Sequence, residues 1–268
     1  MHLDPVTKHT VLTLGDRDAA PPKKAPAGDA LDEAIAKQVA KIGDLQKVFY
    51  ADGRHALLVV LQGRDAAGKD GTVRQVFEAV NPQGCVVTSF KQPTAIELEH
   101  DYLWRVHQAV PGRGTMGIFN RSHYEDVLVV RVHDLVPKSA WSNRYAEIND
   151  FERMLAANRV VILKFFLHIS RDEQKRRLID RLTDKKKNWK FRAGDLDDRA
   201  LWSDYTRAYR DVLRKCSTEW APWYIVPADD KRVRNYLIAR TIARALASMH
   251  LEYPAADPKV LRYASKIV

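Results

Sequence analysis

One stretch of the chain limits its fold more than any other: Gly63-Arg-Asp-Ala-Ala-Gly68-Lys69-Asp-Gly71-Thr72. An apolar run, His55–Gln62, precedes it, and a helical pattern of Val73, Val76, Phe77 and Val80 follows. Strand, G-x-x-x-x-G-K, then helix is the arrangement of a phosphate-binding loop. Gly63, Gly68 and Gly71 let the backbone turn round an anion. The N–H groups of Ala66, Ala67 and the helix start face it, and Lys69 adds a mobile positive charge.

Two positions depart from the usual loop. Asp70 stands after the lysine, where Ser or Thr normally meets Mg²⁺, and Thr72 follows two residues later. Asp65 lies inside the cradle itself. A carboxylate beside phosphates is tolerable when a cation stands between them, so Asp65 reads as a Mg²⁺ ligand.

The rest of the chain alternates strands and helices. Apolar runs at His55–Gln62, Cys85–Phe90, Met116–Phe119, Val160–His168 and Trp223–Val226 suit strands buried on both faces. Helices are expected over Leu31–Tyr50 and Asp197–Leu213, and capping signals at Thr94–Glu97 and Ser170–Glu173 open two more. The expected fold is α/β, a parallel sheet flanked by helices. Trp202, Tyr205, Tyr209 and Val212 recur at helical spacing and read as a core-facing stripe. The stretch 170–213 has two helices with no strand between them and is expected to project as a helical lid. Residues 1–30, which include the Pro- and Ala-rich DAAPPKKAPAGDA, read as a flexible arm ahead of a single domain over 31–268.

A second constellation, Phe119-Asn-Arg-Ser-His-Tyr-Glu-Asp126, follows the third strand. In phosphate-loop proteins the neighbouring strand end supplies an acid for the metal, and Asn120, Glu125 and Asp126 stand there. Arg121 suits a two-pronged grip on phosphate oxygens. His100, His107 and His123 lack a metal-binding spacing, so His123 reads as structural.

Charge and composition narrow the class. The 268 residues carry a formal charge of +10, with 46% hydrophobic and 29% charged residues, as in ordinary globular proteins. Residues 171–192 hold ten Lys or Arg against four Asp or Glu, which suits a solvated helix face or a surface for a polyanion. The longest aliphatic run, Ala56–Leu61, is far short of a membrane span, and the start has no apolar leader block. Two distant cysteines, Cys85 and Cys216, give no disulfide framework or zinc ribbon. A cytoplasmic location is expected.

Together, GRDAAGKDGT, IFNRSHYEDVLVVRV, KNWKFRAGDLDDRALW and APWYIVPAD, in this order, resemble the polyphosphate kinase type 2 family from about Leu45 to Tyr253. The resemblance implies a phosphate-loop, thymidylate-kinase-like fold with a helical lid and reversible, Mg²⁺-dependent phosphoryl transfer. Inorganic polyphosphate would be the donor and a nucleotide the acceptor, commonly in a homodimer or homotetramer. Asp65 and Lys69 match the family's loop aspartate and lysine, and Arg121 its strand-end arginine. Asn120 stands where another branch has an aspartate, which makes Asp126 the second expected metal ligand. Lys187, Trp189 and Lys190 match the lid pattern, with Arg177 and Arg181 in the helix before it. The branch that mainly uses nucleoside diphosphates has Asn at the position of Glu125. The HYED pattern goes with the branch accepting AMP and ADP, giving ADP and ATP.

Two other readings share the loop. A nucleoside triphosphate-dependent nucleoside monophosphate or small-metabolite kinase would not need the long basic lid. A nucleic-acid-binding NTPase would carry a reading motif that this sequence lacks, and its lid charges adjoin the chemistry.

Overall fold

The structure is a computed structural model that describes residues 1–261, 263, 266 and 267. Five parallel strands, β1 (Ala56–Gly63), β2 (Cys85–Ser89), β3 (Met116–Asn120), β4 (Val160–His168) and β5 (Trp223–Pro227), form one sheet in the order β2-β3-β1-β4-β5. All five lie where apolar runs are expected. Central β1 pairs Val59 with Ile118 on one side and with Leu163 on the other.

Alternation along β1 builds two core layers. Leu57, Val59 and Leu61 face α1 (Gly28–Asp52), α2 (Lys69–Val76) and, through Val233, Leu237 and Ile242, a long helix near the C-terminus. Leu58 and Val60 face the other layer, which contains α3 (Arg144–Ala157) and a helix whose Tyr205, Tyr209 and Val212 are buried. Tyr205, Tyr209 and Val212 of the aromatic stripe are therefore core, as its spacing predicts, whereas Trp202 is only half-buried and packs against the other layer. Among the described residues no helix is long and apolar enough to cross a membrane.

Two expectations change. The N-terminal arm is not a free tail over residues 5–20. Val6 N–H donates to Trp223 O at 2.8 Å, Pro5 bridges Tyr224, and Val6, Leu12, Leu14 and Ala19 are buried. The free edge of β5 and the apolar side chains of the arm satisfy each other. The lid is also shorter than 170–213. It runs from α4 (Arg171–Thr183) through α5 (Gly194–Ala200), whereas α6 (Trp202–Lys215) packs into the core. The long C-terminal helix is α7 (Lys231–Ala247).

Candidate active site

The phosphate loop runs from the end of β1 to the head of α2. Ala66 and Gly68 adopt positive φ, 63° and 104°, which reverses the chain tightly. A side chain at Gly68 would overlap the Arg234 guanidinium, so glycine is required there twice over. Cationic side chains hold the loop carbonyls. Arg177 donates to Ala66 O (3.0 Å) and Ala67 O (3.1 Å), and Arg234 to Ala67 O (3.0 Å). Gln174 donates to Asp65 O at 3.2 Å. The first-turn N–H groups of α2, which have no intrahelical acceptor, are left for an anion.

Lys69 folds back and donates to Gly63 O at 2.7 Å and Arg64 O at 3.3 Å. Burial and the neighbouring Arg121 charge pull its ammonium down to about 8, against the pull of Asp65, Glu125 and Asp70. Asp70, one residue on, accepts from Asn120 at 2.8 Å and meets Lys190 of the lid at 3.4 Å.

Arg121 is the hub of the strand end. It has φ 64°, an uncommon conformation for a side chain of this size, and its N–H is held by Leu61 O at 3.0 Å. Its guanidinium donates to Asp65 at 2.5 Å and Glu125 at 3.2 Å. Burial raises the Asp65 carboxyl, but Arg121 and Lys69 more than offset it and leave it below its ordinary value. The next residues peg the strand end to the core. His123 meets Glu152 at 3.2 Å, and Tyr124 donates to Glu152 at 2.9 Å. Lys164 donates to Glu152 at 2.5 Å and Tyr124 at 2.7 Å, all within the buried interior. His123 is thus structural.

Asp65, Arg121 and Glu125, together with Asp198, Tyr205 and Tyr209, line a cavity of about 20 Å³, room for one water-sized sphere. Asp198 is raised by burial and by the negative charge of Asp65, against hydrogen bonds from His133 and Tyr205 that lower it. Asp195 pairs with Arg181 at 3.0 Å, and Arg199 donates to Gln174 at 2.8 Å. Arg64 stacks on Trp202, 4.0 Å from the ring centroid. Asp195, Asp198, Arg199 and Trp202 are absent from the sequence-based site. The i, i+3, i+4 spacing of Asp195, Asp198 and Arg199 marks one face of α5, a signal equally compatible with a solvated helix, whereas Trp202 opens α6.

Four expected site residues are engaged elsewhere. Asp126 is bound by Arg144 at 3.0 Å, and burial first, with Glu125 beside it, raises its carboxyl to about 6 despite that arginine. Unlike Asp65, Asp126 does not line the cavity beside the loop, so the structure does not bring the two expected metal ligands together there. Arg177 is buried and donates also to Ala228 O and Asp229 O, at 2.7 and 2.8 Å, so it clamps backbone instead of facing a ligand. Thr72 is wholly buried, its hydroxyl on Gly68 O at 3.2 Å. Lys187 is exposed on the lid and pairs with Asp184 at 2.8 Å.

The donor set suits Mg²⁺ in one respect. Mg²⁺ is held by one or two carboxylates plus substrate phosphates and water, and Asp65 offers such a carboxylate at the mouth of the loop. Among the described residues no group of three or more His, Cys, Asp or Glu is arranged to hold a metal by itself. The substrate's oxygens would complete the shell.

This geometry suits phosphate chains and the balancing of their charge, and the chain is similar in sequence and fold to known proteins. The chain is 54% identical over 222 residues to a Meiothermus ruber protein named AMP/ADP-polyphosphate phosphotransferase, covering 83% of each. It is 47% identical over 238 residues to the ADP-polyphosphate phosphotransferase of Rhodopseudomonas palustris, covering 84% of this chain and 82% of that one. The crystal structure of Polyphosphate Kinase 2 from Arthrobacter aurescens TC1 superposes with a TM-score of 0.88 at 39% identity, over 100% of this chain and 99% of that one. The profile described as Polyphosphate kinase 2 (PPK2) matches residues 27–254, a span holding the phosphate loop, the strand-end arginine and the whole lid; the chain therefore belongs to the polyphosphate kinase 2 family.

Proposed function

We propose that the protein moves the terminal phosphoryl group of inorganic polyphosphate onto AMP and ADP, reversibly, with Mg²⁺. The observation that carries this is the meeting of a phosphate loop with a basic lid, where Lys190 approaches the head of α2. The names of its relatives support the same substrates.

A nucleotide phosphate is already ionised near neutral pH, so the acceptor needs no general base. The obstacle is to bring two polyanions into line, and catalysis then rests on positioning and charge neutralisation. In this reading Lys69 binds the transferred phosphoryl and stabilises its charge in the transition state. Arg121 grips phosphate oxygens with the guanidinium that Asp65 and Glu125 orient. Arg181, Lys187 and Lys190 close over the chain of phosphates. Asp65 would hold Mg²⁺, which when bound neutralises phosphate charge; Asp126 lies outside the cavity that Asp65 lines.

Glu125 is proposed to favour the shorter acceptor, by holding a water or cation against AMP. The two free, distant thiols fit a reducing cytoplasm. A homodimer or homotetramer is proposed from the family resemblance. The test is a donor panel: AMP or ADP with Mg²⁺ and either polyphosphate, GTP or no donor, with new nucleotides measured by chromatography. Product from GTP and none from polyphosphate would favour an ordinary nucleotide kinase.

A further inference from the structure

The lid helix α5 places Asp198 in the cavity beside the loop, where Asp65 and Glu125 stand together with Arg64 and Arg121. His133, which caps the short helix Val129–Val132 after the strand-end loop, meets Asp198 Oδ1 through Nε2 at 2.7 Å. Tyr205 of α6 donates to the same oxygen at 2.9 Å and lies 3.3 Å from the His133 nitrogen. The other side-chain ties of α5, Asp195 to Arg181 and Arg199 to Gln174, run to α4, itself the other half of the lid. Among the described residues, His133 alone ties α5 by a side-chain hydrogen bond to the strand-end side of the site.

We propose that His133 is a positioning residue that latches the lid: its hydrogen bond holds Asp198, and through it α5, over the phosphate loop. The proposal rests on the phosphotransferase reading only for its kinetic consequence. The latch itself is a statement about α5. His133 is partly exposed, so its replacement disturbs little core.

The experiment compares wild type, His133→Phe, His133→Gln, Asp198→Ala and the His133→Phe/Asp198→Ala double variant. Hydrogen exchange by mass spectrometry follows the amides of residues 194–200, with those of β1 and β4 as the internal control. Loss of one hydrogen bond of ordinary net strength predicts roughly five- to ten-fold faster exchange over 194–200 in His133→Phe. β1 and β4 should be unchanged, and His133→Gln, which keeps an N–H donor, should recover part of the protection. KM for polyphosphate should rise in step. Because His133 acts through Asp198, His133→Phe should add nothing in the Asp198→Ala background. Unchanged exchange over 194–200 in His133→Phe, or full additivity in the double variant, would overturn the latch. Should His133→Phe prove unstable, Asp198→Ala alone must show the same local opening, and its absence is equally fatal. An inactive wild type with the predicted exchange pattern would instead count against the phosphotransferase reading.

Discussion

Lys190, at the tip of the lid, lies 3.4 Å from Asp70 at the head of α2, and Asn120 holds the other oxygen of that carboxylate at 2.8 Å. Lid, phosphate loop and strand end thus converge on one side chain. The pair is solvent-exposed, and such pairs hold little free energy. A chain of phosphates entering beneath the lid offers Lys190 a denser set of acceptors than Asp70 does. The contact therefore reads as a resting position that substrate replaces.

Neutralising this tip should leave the fold intact and weaken donor use. Lys190→Ala is expected to keep the melting temperature of wild type while raising KM for polyphosphate, more for long chains than short ones. Added salt should mimic it, because screening lengths fall to roughly 8 Å at physiological ionic strength. Steady-state kinetics across chain lengths and salt concentrations check this, and chain-length-independent, salt-insensitive behaviour would return the lid charges to a solvated face.

Lys69 sets a pH limit. Its ammonium, lowered to about 8 by burial first and Arg121 second, is charged below that value and neutral above it. Only the charged form serves a transferring phosphoryl, so kcat/KM, which reports the free enzyme, should fall as pH rises through about 8. Bound phosphate favours the charged amine, so kcat itself should hold to higher pH. Lys69→Ala should lower turnover on the order of 10²-fold or more with the fold retained. A kcat/KM profile flat well above pH 8 would count against this role.

Arg177 behaves differently from the other lid cations. It clamps four backbone carbonyls around the loop, so Arg177→Ala leaves buried acceptors unpaired and should cost about 3 kcal/mol of stability or more. Thermal and urea unfolding measure this loss. Activity should drop equally for short and long polyphosphate, whereas Lys190→Ala discriminates between them.

Glu125 shares Arg121 with Asp65. Glu125→Asn removes one of the two carboxylates that orient the guanidinium, so both acceptors should suffer somewhat. The larger loss is expected with AMP, whose shorter phosphate depends on what position 125 holds. Measuring AMP and ADP phosphorylation side by side in wild type and variant decides it; an equal loss on each would remove Glu125 from acceptor choice.

The sheet was legible because β1, β3 and β4 are apolar runs buried almost throughout, and Val160–His168 matches to the residue; edge strand β2 is apolar too, but leaves Val86 and Val87 exposed instead of buried on both faces. The loop was legible because its chemistry is local in sequence: Gly68, Lys69 and Asp65 act within a few residues of one another. What failed depends on long-range partners. Arg177 and Lys190 are both cations in one basic stretch, and only the fold separates the buried clamp from the exposed tip. Asp126 and Asp198 likewise differ by their neighbours, Arg144 for one and His133 with Asp65 for the other, none of which spacing predicts. The N-terminal arm has loop-like composition, yet Val6, Leu12 and Leu14 find the edge of β5.

The central claim is that one site moves phosphoryl groups from polyphosphate to both AMP and ADP. Phosphorus NMR of the wild-type protein with polyphosphate, Mg²⁺ and AMP follows donor and acceptor in a single sample. The account predicts that polyphosphate chains shorten while the β-phosphate of ADP and then the γ-phosphate of ATP appear, and that both signals grow on the order of 10²-fold more slowly, or more slowly still, in Lys69→Ala. Unchanged polyphosphate beside unchanged AMP and ADP, or nucleotide formation near the wild-type rate in Lys69→Ala, would contradict it.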